Sequence, residues 1–124
     1  MSRLYREDIL EHARNPHHRG KLEPANINAS LTNTTCGDEI TLSLRVDGER
    51  TIDEIKFEGR GCIISQAAAD MFAEYIFGKK INEVKKIVPE SILALFGTPI
   101  TPSRQTCALL AYEALRRQLV KQGT

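Results

Sequence analysis

Cysteine is scarce in this chain of 124 residues, with only three copies, and tryptophan is missing altogether. A low and odd cysteine count argues against a disulfide framework, because such frameworks pair their cysteines and belong to oxidising compartments. The simplest interpretation is that each thiol is a small buried hydrophobic group. Only the local context of the three cysteines can favour a chemical role for them.

Long apolar runs and an excess of one charge are also missing. No run approaches the roughly 18 apolar residues that a membrane-spanning helix needs. The chain has 17 basic and 16 acidic residues, a formal net charge of +1, and no basic block that would indicate a nucleic-acid partner. The opening segment MSRLYREDIL is charged and lacks the apolar region of a signal peptide. We therefore expect a cytoplasmic protein with no nucleic-acid or membrane partner.

The first half of the chain is predicted to form one helix and about three strands. Apolar residues at helical spacing predict an amphipathic helix from about Leu4 to Arg14, which an Asn-Pro pair ends. Residues 15–30 are rich in turn formers and predict a loop. Alternating apolar and polar residues predict strands over residues 40–46 and 52–57, and residues 30–35 are a candidate third strand.

In the second half the apolar spacing becomes helical. Ser65 is the predicted N-cap of a helix that ends at Gly78, and Thr101 is the predicted N-cap of a last helix running through about Val120. Two short helices are predicted between them, over residues 81–87 and 91–96. Strands followed by helices indicate an α+β fold, a small antiparallel sheet with helices packed on it. We expect residues 1–124 to form a single domain.

All three cysteines lie at the boundaries of these predicted elements. Cys36 precedes a strand, Cys62 precedes a helix, and Cys107 lies in the first turns of the last helix. The N-terminus of a helix lowers the pKa of a nearby thiol, and the thiolate is the form that binds metal. Three thiolates and Asp38 could complete a tetrahedral site. However, Asp after Gly is a common turn residue and no Cys-x-x-Cys pair is present, so spacing alone leaves a metal site and buried thiols both open.

Four stretches of the sequence resemble one known family. They are LYREDILEHARNPHHRG, CGDEITLSL, FEGRGCIISQAAADM and SRQTCALLAYEAL. In this order they resemble the NifU N-terminal family, the scaffold and sulfur-transfer proteins of iron–sulfur cluster assembly, which include the IscU and SufU types. The resemblance covers nearly the whole chain. It implies an α+β fold of the IscU and NifU N-terminal kind, with Cys36, Asp38, Cys62 and Cys107 as ligands of one exposed metal site.

The resemblance also implies a function and a partner. Members of the family accept sulfur, as a persulfide, from a cysteine desulfurase that uses pyridoxal phosphate. They either build an iron–sulfur cluster and pass it to downstream assembly proteins or apo-proteins, or hold zinc and relay sulfur. A sulfurtransferase-type relay and a non-enzymatic scaffold both fit this chemistry. A small structural zinc-binding module that serves only for interaction is a third hypothesis, from outside the family.

The subtype is predicted from the residues before the last cysteine. IscU-type scaffolds carry His immediately before that cysteine, whereas Thr106 occupies the position here. The PSRxxC form, with Arg104 three residues ahead of Cys107, resembles the SufU type. The short segment between the second and third cysteines is nearer the IscU length. The site residues thus favour zinc-bound sulfur transfer, with an iron–sulfur cluster or iron as the alternative cargo.

Individual roles follow from where the residues lie along the chain. Cys36 is on a predicted loop beside Asp38, and we predict that it is the persulfide acceptor. Arg104 could pair with Asp38 or steady the anionic persulfide, the alternative being a solvated arginine. The three histidines of the chain, His12, His17 and His18, are expected to be ordinary side chains rather than metal ligands.

Overall fold

The computed structural model describes residues 3–34, 37–97 and 99–122. Within these ranges the chain forms three strands and six helices. In chain order they are α1 (Arg3–Arg14), β1 (Ile27–Asn33), β2 (Asp38–Val46), β3 (Ile52–Arg60), α2 (Ile63–Ile76), α3 (Ile81–Val84), α4 (Pro89–Ala94), α5 (Pro102–Ala108) and α6 (Leu110–Lys121). This arrangement confirms the predicted α+β class. None of the described helices is long and apolar enough to cross a bilayer.

The three strands form one antiparallel sheet in the order β1-β2-β3. Leu44 of β2 pairs with Ile27 of β1 and with Ile55 of β3, so that their side chains lie on the same, buried face. The predicted loop over residues 15–30 is wrong at its end, because β1 begins at Ile27. Ile27 and Ala29 face the core, alternating with exposed polar neighbours in the pattern of a half-buried strand.

Strands β2 and β3 both extend towards the predicted site. β2 begins at Asp38 and β3 ends at Arg60, each beyond the bounds that apolar alternation predicts. Glu39 is the pairing partner of Arg60. The pairing therefore brings Asp38, the residue before Glu39, beside the turn that leaves β3 for α2.

The buried apolar side chains form two clusters. The main cluster fills the space between the sheet and helices α2 and α6, and its largest members include Leu42, Phe57 and Phe72. The second cluster lies between α1, α2 and α5, and includes Met71 and Ala108. The amphipathic helix predicted near the N-terminus is confirmed as α1, whose Ile9 and Ala13 pack against this second cluster.

The single long helix predicted after Pro102 is wrong, because the chain breaks at Leu109 into α5 and α6. Leu109 has φ −100° and ψ 2°, outside the α-helical region. The break separates two neighbours that bury into different clusters: Ala108 packs in the second cluster and Leu110 in the main one.

Candidate metal centre

Cys62 is the N-cap residue of α2. The strand β3 ends at Arg60 and α2 begins at Ile63, so Gly61 and Cys62 alone make the strand-to-helix turn. The Cys62 Sγ accepts a hydrogen bond of 3.4 Å from the backbone N–H of Ser65. The sulfur therefore lies at the N-terminus of the helix, where backbone N–H groups point outwards. Ser65 is therefore not the N-cap that the sequence predicts.

Ser65 supports the cysteine instead of capping the helix. Its hydroxyl donates a hydrogen bond of 3.0 Å to the carbonyl oxygen of Cys62, while its backbone N–H donates to the sulfur. A serine followed by a helical run of residues is typical of an N-cap, but the N-cap in the structure is Cys62, three residues before Ser65. Cysteine is an uncommon cap, so residue preferences point to the serine.

Asp38 is buried at the start of β2, with 2% of its surface exposed. The Oδ1 atom accepts a hydrogen bond of 3.1 Å from the backbone N–H of Cys62, and Oδ2 lies 3.7 Å from the Cys62 sulfur. A buried carboxylate needs such polar partners, because removing it from water unpaired is costly. Asp38 is thus held against Cys62 and does not serve as an ordinary exposed turn residue.

Gly61 leaves the space that this contact needs. Its φ is +157°, in the region that favours glycine, and an added Cβ would overlap Asp38 Oδ1 and lie 2.6 Å from the Ser65 hydroxyl. Any other residue at position 61 would push the carboxylate and the helix start apart. The glycine is part of the site, although it offers no ligand atom.

Cys107 approaches the same point from a third element. It lies in the last turn of α5, where 8% of its surface is exposed, rather than in the first turns of a long helix. α5 packs against α2, which brings the Cys107 sulfur towards the start of α2. One ligand atom each from Asp38, Cys62 and Cys107 lies within 4.8 Å of the others, a group that can hold a metal ion. The fold therefore gathers three of the four predicted ligands.

The remaining predicted site residues are not gathered in this way. Cys36 lies outside the described residues, in the connection between β1 and β2. Arg104 is exposed on α5, and within the described part of the chain no ion pair joins it to Asp38. The described part of the site is less exposed than the resemblance implies, because Asp38 and Cys107 are buried and Cys62 is half-buried.

One polar group inside the protein is missing from the sequence-based prediction. Asp70 of α2 is fully buried, and its Oδ2 lies 2.6 Å from Nδ1 of His12 on α1. The sequence predicts an ordinary side chain at His12, whereas the structure makes it the partner of a buried carboxylate. The signal was present in the sequence, since an aspartate on the apolar face of AAADMF requires a polar partner.

Comparisons with known proteins identify the family to which the chain belongs. The family model of the NifU-like N terminal domain matches residues 4–122. IscU of Thermotoga maritima, an iron–sulfur cluster assembly scaffold protein, is 33% identical, and the match covers 95% of this chain and 94% of the relative. SufU of Bacillus subtilis, a zinc-dependent sulfurtransferase, is 34% identical, and the match covers 98% of this chain and 93% of the relative.

A solved structure supports the same grouping. The crystal structure of a putative iron–sulfur cluster assembly scaffold protein for the SUF system of Fervidobacterium islandicum superposes with a TM-score of 0.79. The two sequences are 31% identical, and the match covers 91% of this chain and 94% of the other.

Proposed function

Because this chain belongs to the family of NifU-like N-terminal domains, we propose that it is an iron–sulfur cluster assembly protein that accepts sulfur at a metal centre. The observation that carries the proposal is the approach of Asp38, Cys62 and Cys107 to within 4.8 Å of one another from three separate elements. Two thiols and a carboxylate that converge on one point from separate elements are donors of the kind that zinc takes in proteins.

The proposed ligands are these three residues together with Cys36. Thiolates and one carboxylate in tetrahedral arrangement suit zinc, and two thiolates bound at about 2.3 Å each would lie about 3.8 Å apart. The described donor atoms lie within 4.8 Å of one another, and Asp38 Oδ2 is 3.7 Å from the Cys62 sulfur, so no pair needs to close by more than about 1 Å to hold the ion. Zinc bound there would keep the thiols deprotonated at neutral pH.

Cys36 is the proposed sulfur acceptor. Its thiolate attacks the outer sulfur of a persulfide on the cysteine desulfurase, the sulfur–sulfur bond breaks, and the desulfurase cysteine leaves as a thiolate. Cys36 then carries the persulfide. A surface cleft of about 500 Å³ is lined by residues that include Thr34, Gln105 and Thr106. These residues are close in sequence to Cys36 and Cys107, so the cleft supports the proposal that a partner protein can reach the site.

Asp38 and Arg104 have supporting roles in this proposal. Asp38 is the weakest of the four ligands for zinc, which prefers thiolate, and its exchange would free a coordination position. The exposed Arg104 guanidinium, on the same helix as Cys107, would then pair with the released carboxylate or with the anionic persulfide. Asp38→Ala is expected to weaken zinc binding, and unchanged affinity would remove Asp38 from the ligand set.

The zinc-bound relay is preferred to a scaffold because this chain has Thr106 immediately before Cys107, at the position where IscU-type scaffolds carry a histidine. A scaffold that assembles a [2Fe–2S] cluster is the second candidate, since a relative of 33% identity bears that name and the match covers nearly both chains. The expected partners are a cysteine desulfurase and downstream assembly proteins or apo-proteins, in the cytoplasm.

The test begins with elemental analysis of protein purified without oxygen. We expect about one zinc per chain, and a mass gain of about 32 Da on Cys36 after mixing with desulfurase and cysteine. Cys36→Ser should lose that gain. Iron and sulfide in equal amounts, with cluster absorbance, would favour the scaffold. Zinc without any persulfide would favour a structural zinc module and overturn the proposal.

A further inference from the structure

The chain after α1 returns to the sheet next to the turn that carries Cys62. The N–H of Phe57 donates to His18 O and the N–H of Gly20 donates to Phe57 O, both at 2.8 Å. The His18 N–H also donates to Asp70 Oδ1 at 2.9 Å. The backbone on both sides of Arg19 is therefore fixed to β3, and it is joined to α2 as well.

From this fixed backbone the Arg19 side chain reaches across the turn. Nη1 donates to Oε1 of Gln66 at 2.8 Å, and Nη2 donates to the carbonyl oxygen of Gly59 at 3.0 Å. Gly59 is the second-last residue of β3, and Gln66 lies in the first turn of α2. One planar guanidinium thus joins the strand end to the helix start, with Gly61 and Cys62 between the two anchor points.

Gln66 contributes to this link through its oxygen alone. The Nε2 atom of Gln66 is buried, and among the described residues it has no hydrogen-bond partner. A buried amide nitrogen without a partner lowers the stability of the folded protein. The contact between Oε1 and Arg19 is a favourable polar interaction of the same side chain. A glutamate at position 66 would keep the acceptor for Arg19 and remove the unpaired donor.

We propose that Arg19 is a positioning residue for the metal centre, which fixes the turn so that the Cys62 sulfur stays near Asp38 and Cys107. The inference rests on the proposed function, because it gives Arg19 a role towards the ligands of that site. Arg19 acts through the backbone of the turn and through Gln66, as outer-shell residues do when they orient a ligand. Arg60 provides a matched contrast, since it also lies at this turn, but among the described residues its side chain pairs with Glu39 of the neighbouring strand and with no residue of α2.

The test measures zinc affinity by competition with a chromophoric chelator, and the absorption spectrum of the cobalt(II)-substituted protein. We expect Arg19→Ala to weaken zinc binding by about tenfold and to change the thiolate-to-cobalt charge-transfer band. Arg19→Lys and Gln66→Met should show smaller losses, because each removes one of the two anchor points. Gln66→Glu, which keeps the acceptor, should stay within about threefold of the parent protein, and Arg60→Ala should match it.

Thermal unfolding of every variant separates loss of the fold from loss of position. Equal zinc affinities and equal cobalt spectra for Arg19→Ala and Arg60→Ala would overturn the role of Arg19 while leaving the proposed function intact. Failure of the parent protein to bind zinc or cobalt at its cysteines would overturn both. Arg19→Ala should also be combined with Cys62→Ser. If Arg19→Ala weakens zinc binding in the parent protein but causes no further loss in the Cys62→Ser background, the effect of Arg19 acts through the Cys62 ligand, which supports the inference.

Discussion

Gly61 is required both by the backbone conformation of the turn and by the close approach of Asp38 to Cys62. With φ at +157° it allows the chain to leave β3 and enter α2 in two residues. Its missing side chain is what lets the Asp38 carboxylate accept the N–H of Cys62. The same glycine thus satisfies a backbone requirement and a packing requirement at once.

Gly61→Ala is predicted to disturb both the fold and the candidate site. The strained φ alone costs about 1–3 kcal/mol, and the new methyl group would displace Asp38 or Ser65. We expect a lower free energy of unfolding in urea and weaker zinc binding in the folded fraction. Gly48→Ala is the control, because nothing lies within 4 Å of the added Cβ there. Similar zinc affinities for the two variants would contradict this account of Gly61.

At the scale of elements, α1 is joined to α2 by apolar packing and by His12, whose ring nitrogens lie near the carboxylates of Asp70 and Glu74. Asp70 is fully buried, and both of its oxygens have partners, His12 on α1 and the N–H of His18 just after it. Ile9 and Ala13 of α1 add apolar contacts to the second cluster. The segment that carries Arg19 therefore depends on α1 being in place.

His12→Ala is predicted to destabilise the protein by about 3 kcal/mol, because it leaves the buried Asp70 carboxylate without its side-chain partner. The loss should appear as a lower urea midpoint at neutral pH with an unchanged slope. His17→Ala is the matched control, since His17 is exposed and contacts His12 only ring to ring. If both variants unfold at the same urea concentration, the His12–Asp70 pair contributes little.

The elements with a strong period were predictable from the sequence. The alternation around Leu42 and the helical spacing in α1 each reflect one buried face, so β2, β3 and α1 were placed correctly apart from their ends. Periodicity cannot predict where a helical segment breaks because the residues on its two sides pack into different clusters. The break at Leu109 is such a place, because residues on either side remain apolar and helical.

The sequence names the members of the candidate site but does not give their geometry. Spacing alone favours buried thiols over metal ligands, and it is the resemblance to the family that supplies the predicted set of ligands. The cap at Cys62 was missed because a serine lies three residues later, and Asp70 was missed because its partner His12 is distant in sequence. Contacts between distant segments depend on tertiary packing that a single sequence does not encode locally.

At the scale of the whole molecule, the candidate ligands join parts of the chain that are far apart in sequence. Asp38 begins a strand of the sheet, Cys62 begins the helix that covers the sheet, and Cys107 ends a helix packed on the other cluster. An ion held by all three would tie β2, α2 and α5 together. Binding should therefore be linked to global stability, since the unfolded chain cannot keep these residues close.

Zinc is predicted to raise the thermal midpoint of the protein. A ligand that binds only the folded state, held free at about 100 times its Kd, stabilises by about 2.7 kcal/mol, which for a domain of this size is a rise of about 10 °C. Calorimetry in a zinc buffer and in excess chelator measures the difference. Cys107→Ser should remove most of it, while His17→Ala should keep it, because His17 is exposed and is not one of the candidate ligands. A zinc-dependent rise of the same size in Cys107→Ser would mean that the ion binds elsewhere, and the joining of the three elements by one metal would be wrong.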